Sequence, residues 1–120
     1  MREEKTHIVR GRTLVSGLPE TVELSSVEIR EALSDSLKAI MDTIVDVVDE
    51  VPPAIINDLM DIGICLAGGG AKMNGLAERI SNEVKIPCWV AEDPRSCVAR
   101  GAGMVLEDFE RLKGWLLPVD

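Results

Sequence analysis

The sequence predicts an α/β fold with three parts, each indicated by its own pattern. Alternating polar and apolar residues near the N-terminus predict a small antiparallel β segment. An apolar stripe at helical spacing then predicts a long helix. After two consecutive prolines, an apolar run, three glycines, a second helical pattern and another apolar run predict one βαβ unit.

The N-terminal β segment is predicted to hold two strands joined by a turn. The first strand covers residues 7–12, and the second covers residues 21–24, where polar and apolar side chains alternate. Gly17, Leu18 and Pro19 indicate the turn that precedes the second strand. A hairpin or a short meander is the simplest arrangement of these strands.

The long helix is predicted over residues 26–50. Ser25 and Glu28 form the Ser-x-x-Glu pattern of a capping box, in which each side chain bonds the backbone amide of the other residue. A helix of this length spans about 37 Å. Its apolar stripe comprises Ile29, Leu33, Leu37, Ile40, Met41, Ile44, Val47 and Val48. A second face carries three carboxylates, interpreted as solvated rather than cation-binding: Asp42, Asp46 and Asp49.

The βαβ unit follows a short helix, which begins at the two prolines and is predicted over residues 54–60. Strands are predicted over residues 62–67 and 87–91, and the helix between them over residues 71–84. Because a helix connects the strands, they should be parallel with a right-handed crossover.

A last helix is predicted over residues 95–113. Six of its residues are predicted to face the core: Val98, Ala102, Val105, Leu106, Phe109 and Leu112. Glycine inside a helix costs about 1 kcal/mol relative to alanine, so Gly101 and Gly103 require a compensating contact. The helix packs tightly either within this chain or against a helix of another domain, and the sequence leaves both open. The apolar residues that follow are interpreted as core rather than as a membrane anchor: Trp115, Leu116 and Leu117.

Composition and charge limit the classes of function. The 120 residues fit one compact domain or two sub-lobes of a larger one. The formal net charge of −8 repels nucleic-acid phosphates, so we expect no nucleic-acid partner. No apolar run is long enough to cross a bilayer, and the N-terminal residues lack the apolar core of a signal peptide.

The titratable residues indicate neither a metal site nor catalysis. Cys65, Cys88 and Cys97 are unevenly spaced, and we interpret them as reduced, buried thiols. His7 is the only histidine, and no motif joins it to a nucleophile and a carboxylate. We therefore expect no catalytic residue and no metal ligand in this chain.

Gly68, Gly69 and Gly70 form the candidate functional site. Glycine backbone between a buried strand and a helix lets a flat or charged group approach the main chain closely. The N-terminus of the helix that follows would favour a phosphate. Neither a Walker A loop nor a dinucleotide-binding fingerprint is present, because Lys72 has no Ser or Thr after it and Met73 replaces the third glycine. A nucleotide contact is the functional interpretation, and a purely structural turn is the alternative.

Several segments of the chain, in this order, resemble one family: the MreB family of rod-shape-determining proteins, which are bacterial actin homologues. The segments are GRTLVSGLP, SSVEIREAL, VPPAIINDLMDIGICLAGGGAKMNGL and VAEDPRSCVARGAGMVLED. The resemblance extends from residue 8 to residue 112 and involves several elements rather than one loop. It implies a partial actin-like, ribonuclease H-like domain that belongs to the C-terminal part of a much longer protein.

The resemblance gives the glycine segment a role. The stretch LAGGGAKMNGL resembles the adenosine motif of actins, in which bare backbone lies against the adenosine part of ATP. Gly68, Gly69, Gly70 and Ala71 are the matching positions, and they are the cofactor-binding residues that the resemblance implies. Arg95 corresponds to a position near the adenine. The implied cofactor is ATP, with Mg²⁺ in the full-length family, and only part of its site would lie in this chain.

The resemblance also implies domains and partners. Residues 1–25 would form the end of the smaller upper subdomain, and residues 26–120 the actin-like C-terminal subdomain, where ARGAG lies in a helix connecting the two large domains. The phosphate-binding loops and water-activating residues of the family have no counterpart here, so we do not expect an enzyme from this chain on its own. The implied partners are further copies in filaments, the inner membrane surface and cell-wall synthesis proteins, at a cytoplasmic, membrane-associated location.

Two alternatives stay open. Other actin-fold ATPases and sugar kinases share the adenosine motif, so the glycines alone do not separate those classes from the MreB family. The chain could also bind no nucleotide by itself, because half of a pocket makes half of the contacts. The flanking segments SSVEIREAL and EDPRSCVARGAGMVLED favour the MreB family over the first alternative.

Overall fold

The computed structural model describes residues 3–116. The chain divides into two compact units, with the boundary between Ile44 and Val45. The first unit contains an antiparallel strand pair and helices, and the second contains the parallel strand pair with its connecting elements. The α/β prediction is thus confirmed.

The first unit begins with a hairpin of two strands, as the alternating pattern predicts. Strand β1 covers Thr6–Arg12 and strand β2 covers Pro19–Ser25. They pair antiparallel, in a register that places Thr6 opposite Ser25 and Arg12 opposite Pro19. Most side chains of both strands are exposed.

The capping box forms as predicted, but the single long helix does not. The Ser25 Oγ accepts a hydrogen bond from the Glu28 amide at 3.2 Å, and the Ser25 amide donates to the Glu28 Oε2 at 2.8 Å. Helix α1 covers Ser26–Ala32, and helix α2 covers Ser34–Asp49 and continues into the second unit. The Ser34 Oγ donates to the Glu31 carbonyl at 2.8 Å, and such a bond from serine to the preceding turn bends a helix.

The second unit contains helix α3 and a pair of three-residue strands. Helix α3 covers Pro53–Ile62, strand β3 covers Ile64–Leu66 and strand β4 covers Cys88–Val90. The two strands are parallel, which confirms the prediction for the βαβ unit. Ile62 belongs to α3 rather than to the strand, because Gly63 ends the helix with a left-handed φ of 86°.

The helix of the βαβ unit starts later than predicted. The glycines lead into a 3-10 turn over Gly69–Lys72, here called the glycine turn, and helix α4 covers Leu76–Val84. Met73 is extended and Gly75 is left-handed with a φ of 82°, so the backbone leaves the helical conformation before α4 begins. The predicted start at residue 71 is therefore wrong. Ile80 of α4 and Ile86 just before β4 are 1% and 2% exposed and form the centre of this unit.

The last predicted helix is divided, and the apolar face assigned to its core lies largely in solvent. Helix α5 covers Cys97–Glu107, and helix α6 covers Phe109–Leu112, with a break at Asp108. Val98 is 80% and Leu106 72% exposed, and a Cβ placed on Gly101 or Gly103 would meet no atom of residues 3–116 within 4 Å. Tight packing against the described residues is thus the wrong explanation of these glycines.

Four further residues complete the comparison with the predicted core. Ala102 and Phe109 are exposed, whereas Val105 and Leu112 are half-buried. Trp115 and Leu116 are exposed, contrary to their interpretation as core, and Leu117 lies outside the described residues.

The three cysteines are free, but they are not all buried. Cys65 is exposed, and Cys88 and Cys97 are half-buried. Burial raises the pKa of the Cys88 thiol, and the neighbouring Cys65 adds a smaller effect in the same direction. Within residues 3–116, no helix combines the length and the apolar character needed to cross a bilayer.

Replacing Gly63 with alanine should destabilise the chain strongly. A Cβ at this position would lie 2.5 Å from the Pro87 carbonyl oxygen, and the left-handed backbone alone costs about 1–3 kcal/mol for other residues. Urea unfolding would measure the difference. Gly101→Ala is the matched control, since it adds the same methyl group to an open helical position and should raise stability by about 1 kcal/mol. Equal stability of Gly63→Ala and the unmodified chain would contradict this account.

The capping box should be visible in the titration of Glu28. The hydrogen bond from the Ser25 backbone, and to a lesser degree the one from the Ser25 side chain, lowers the pKa of the Glu28 carboxyl below its ordinary value of 4.5. A lowered folded-state pKa stabilises the fold above the unfolded-state pKa, and this contribution disappears as the pH falls through the folded value. The Ser25→Ala variant removes only the side-chain hydrogen bond and keeps the backbone one, so NMR titration should show a small rise of the Glu28 pKa toward 4.5. An unchanged pKa in that variant would show that the Ser25 hydroxyl group does not act on the carboxyl.

Candidate functional site

The glycine turn lies where the two parallel strands end. After β3, Gly68 turns the chain with a φ of 90°, and its amide donates a 2.7 Å hydrogen bond to the Pro94 carbonyl. Pro94 is buried and belongs to the segment that follows β4. The Ala91 amide donates to the Leu66 carbonyl at 2.9 Å and extends the pairing toward this point. The carboxyl ends of both strands thus meet at one edge, which is where α/β sheets usually bind ligands.

Gly69 and Gly70 present bare main chain at this edge. Both residues are exposed, and a Cβ placed on Gly70 would meet no atom of the described residues within 4 Å. Across the described part of the chain, neither of their amides donates a backbone hydrogen bond. Two adjacent amides without a partner can donate to a bound group, and the main chain at Gly70 is open to its approach.

The other two predicted residues, Gly68 and Ala71, hold the turn in place but do not form its exposed surface. Gly68 is half-buried, with its amide occupied by Pro94. Ala71 is 6% exposed, and its amide donates to the Gly68 carbonyl at 3.3 Å. The structure therefore brings all four residues together but exposes only Gly69 and Gly70.

Arg95 flanks the glycine turn. A Cβ on Gly69 would lie 3.9 Å from the Arg95 Cγ, so the arginine side chain runs beside the bare backbone. Arg95 is exposed and forms no salt bridge with the acidic residues of the described ranges. A planar guanidinium that is not held by a carboxylate can stack on an aromatic base.

The segment that carries Arg95 is held in place by its own hydrogen bonds. The Ser96 Oγ donates to the Asp93 carboxylate at 2.5 Å, and a guanidinium nitrogen of Arg100 donates to the Glu92 carbonyl at 2.6 Å. Asp93 has a φ of 41°, in the left-handed region that aspartate tolerates better than most residues. These contacts fix the backbone on both sides of Arg95.

The expected helix terminus at the glycines is absent. Helix α4 begins at Leu76, and its first turn contains the acidic Glu78. An anion is stabilised only within the first turn of a helix, so α4 provides no phosphate site at the glycine turn. Among residues 3–116, no group of three or more His, Cys, Asp and Glu side chains is placed to hold a metal ion.

The contact between Gly68 and Pro94 was not indicated by the sequence. A backbone hydrogen bond between residues 26 positions apart leaves no mark in composition or periodicity. The only available signal was the prediction of two parallel strands, whose ends must lie side by side.

The sequence matches the family model described as "MreB/Mbl protein" over residues 1–114. It is 41% identical over 104 residues to the cell shape-determining protein Mbl of Bacillus subtilis, and 42% identical over 99 residues to the cell shape-determining protein MreB of Escherichia coli. These alignments cover 87% and 82% of this chain, but only 31% and 28% of the two relatives. The chain thus spans less than a third of their length.

Solved structures agree with this match. MreB5 of Spiroplasma citri bound to ADP superposes with a TM-score of 0.81 at 29% identity, covering 92% of this chain and 34% of that one. The same protein bound to AMPPNP gives a TM-score of 0.80 at 28% identity, covering 97% and 35%. The fold is therefore a partial actin-like domain, as the sequence predicts, and the matches favour MreB over a sugar kinase. The chain belongs to the MreB/Mbl family.

Proposed function

We propose that this chain forms the adenosine side of the nucleotide site in an ATP-binding, filament-forming bacterial actin-like cytoskeletal protein. The observation that carries the proposal is the pair of exposed, unpartnered amides at Gly69 and Gly70 beside Arg95. The two solved structures it resembles were crystallised with ADP and with AMPPNP, both of which contain adenosine. Its named relatives are cell shape-determining proteins, so the whole protein would determine rod shape and guide cell-wall synthesis.

The residues at the turn fit a nucleoside. The backbone of Gly69 and Gly70 would lie against the adenosine, while Arg95 would cover one side of the base. Gly68 and Ala71 would hold that backbone in position through their own hydrogen bonds. When bound, ATP would supply the phosphates that carry Mg²⁺.

In these 120 residues, no motif indicates the phosphate-binding part of such a site. They contain neither a phosphate-binding loop nor a residue that a motif assigns to water activation. Catalysis would require the phosphate-binding loops that the family resemblance places in the earlier part of the longer relatives. The chain on its own would therefore bind without hydrolysing.

The exposed face of α5 supports an interaction between large domains. Val98 and Leu106 are exposed beside Gly101 and Gly103, where no atom of the described residues occupies the space above the backbone. Small residues allow another backbone to approach closely, as a helix connecting two domains requires. The smaller upper subdomain would end at residue 25, and residues 26–120 would form the subdomain that holds the adenosine.

The remaining partners are proposed from the family. The whole protein would assemble with copies of itself into filaments, a head-to-tail contact that does not close into a ring. It would lie in the cytoplasm at the inner membrane surface, together with cell-wall synthesis proteins. These proposals rest on the family to which the chain belongs.

Adenosine and ATP should bind this chain with similar affinity. Contacts to the phosphates are missing here, and a loss from micromolar to millimolar affinity corresponds to about 4 kcal/mol. NMR titration should shift the amide signals of Gly69 and Gly70 with adenosine, and the triphosphate should add little. No shift up to millimolar adenosine would favour a chain that binds no nucleotide by itself. A much tighter complex with ATP would show that phosphate contacts are present after all.

Replacing Gly70 with alanine should weaken adenosine binding without harming the fold. The new methyl group meets no protein atom, and such a replacement commonly raises stability by about 0.4–1 kcal/mol. The same methyl group occupies the space above the backbone, so we expect the affinity to fall by about tenfold or more, which is 1.4 kcal/mol. Gly101→Ala is the control, because it adds an equally unhindered methyl group on α5. If both variants bind adenosine equally well, the backbone of Gly70 does not contact the nucleoside and this part of the proposal is wrong.

A further inference from the structure

The connection between the glycine turn and α4 contains the one Asn-Gly sequence of the chain, Asn74-Gly75. The Leu76 amide donates to the Met73 carbonyl at 3.1 Å and closes a four-residue turn with Asn74 and Gly75 at its centre. Gly75 has a φ of 82° and a ψ of 0°, which is the conformation of the third residue of a type II turn. Asparagine and glycine are common in turns for conformational reasons alone, but this pair also has a chemistry of its own.

The two groups that can react in this pair have no partners. Asn74 is exposed, and its side-chain amide forms no hydrogen bond within residues 3–116. The Gly75 amide donates none to those residues either, because the closing bond of the turn joins only its first and last residues. An amide outside any hydrogen bond exchanges its proton with water readily. Gly75 also lacks a Cβ, so no side chain of its own hinders the approach of its nitrogen to Asn74.

These conditions permit the two residues to close a ring. After its proton has passed to hydroxide, the Gly75 nitrogen attacks the side-chain carbonyl carbon of Asn74. A new C–N bond forms, the bond to the side-chain nitrogen breaks, and that nitrogen takes a proton from water and leaves as ammonia. Water then adds to either carbonyl of the cyclic imide. Opening at one bond gives aspartate, and opening at the other gives isoaspartate, in which the main chain runs through the former side-chain carbon.

The other two asparagines of the chain provide an internal comparison. Asn57 lies in α3 and Asn82 in α4, and both are exposed, so exposure does not distinguish them from Asn74. Each is followed by an acidic residue, whose side chain crowds the attacking nitrogen and whose charge opposes the loss of the amide proton. Inside a helix, that amide also donates to the carbonyl four residues earlier. Both residues should therefore keep their amides.

We propose that Asn74 is a self-modifying position, at which the folded chain converts its own asparagine to aspartate and isoaspartate. The two products differ in their structural effect. Aspartate adds a carboxylate just before the N-terminus of α4, where a negative charge is favourable. Isoaspartate adds a methylene group to the main chain itself and so lengthens the connection between the glycine turn and α4.

The longer main chain should change the glycine turn. The Met73 amide donates to the Gly70 carbonyl at 3.0 Å, and the Met73 carbonyl accepts the bond from Leu76. The turn at Asn74 is thus joined to the glycine turn by successive backbone hydrogen bonds. We expect the isoaspartyl form to alter the backbone of Gly70, whereas the aspartyl form keeps it. The importance of this change for a nucleotide rests on the function proposed above.

Ageing of the purified, folded chain at neutral and mildly alkaline pH tests the reaction. Trypsin cleaves on both sides of residues 73–79 and of residues 80–85, so Asn74 and Asn82 are measured in separate peptides. Mass spectrometry should find residues 73–79 converted to the acid, as aspartyl and isoaspartyl forms, at a rate proportional to hydroxide concentration. Residues 80–85 should keep their amide. A sample that is digested without ageing corrects for reaction during digestion.

A synthetic peptide of residues 73–79 and one variant complete this test. The Asn74→Gln variant keeps an amide but would need a larger ring, so it should stay unmodified under the same conditions. Conversion of the peptide without conversion of the folded chain would show that the turn protects Asn74, and would overturn the proposal. Equal conversion at Asn74 and Asn82 would overturn it as well.

NMR spectra test the effect on the glycine turn. The isoaspartyl form, separated by chromatography, should shift the amide signals of Gly69 and Gly70, whereas the Asn74→Asp variant should leave them near their original positions. Identical spectra of these two samples would show that the longer main chain does not reach the glycine turn. No nucleotide is present in these measurements. Their failure is therefore distinct from a failure of the adenosine titration.

Discussion

The candidate site depends on the hydrogen bond between the Gly68 amide and the Pro94 carbonyl. Each strand of the parallel pair has only three residues, so the hydrogen bonds between the strands do little by themselves to fix their relative position. At the opposite end, the Ile64 amide donates to the Pro87 carbonyl at 2.7 Å, and Gly63 lies so close to Pro87 that no side chain fits. Backbone contacts at both ends thus position two short strands, and the glycine turn depends on the contact between Gly68 and Pro94.

Local signals were sufficient for the parts of the fold that depend on neighbouring residues. The capping box at Ser25 and the hairpin are local patterns, and both formed as predicted. The predicted start of α4 was wrong because Met73 and Leu76 have helical spacing, although the left-handed Gly75 lies between them. The break before Ser34 was missed for a similar reason, since one hydroxyl group bonded to the preceding turn does not change the apolar periodicity.

Periodicity indicates that a face is apolar, but it does not identify what covers that face. The stripe through Val98 and Leu106 has the spacing of a core helix, yet both residues lie in solvent here. The same distinction applies to the glycine segment. The sequence identifies its residues, but it does not indicate that Gly69 and Gly70 are exposed while Gly68 and Ala71 support them. That arrangement depends on the hydrogen bond to Pro94, which lies far along the chain.

The distribution of buried residues explains why a single chain carries several uncovered surfaces. In the described part of the chain, the buried apolar side chains are Met41, Ala71, Ile80, Ile86 and Pro94. The chain spans less than a third of its curated relatives, so surfaces that would face the remainder of such a protein are exposed here. The α5 face contains glycines suited to the close approach of another helix. The turn between β1 and β2 instead presents the protruding side chains of Leu14 and Val15.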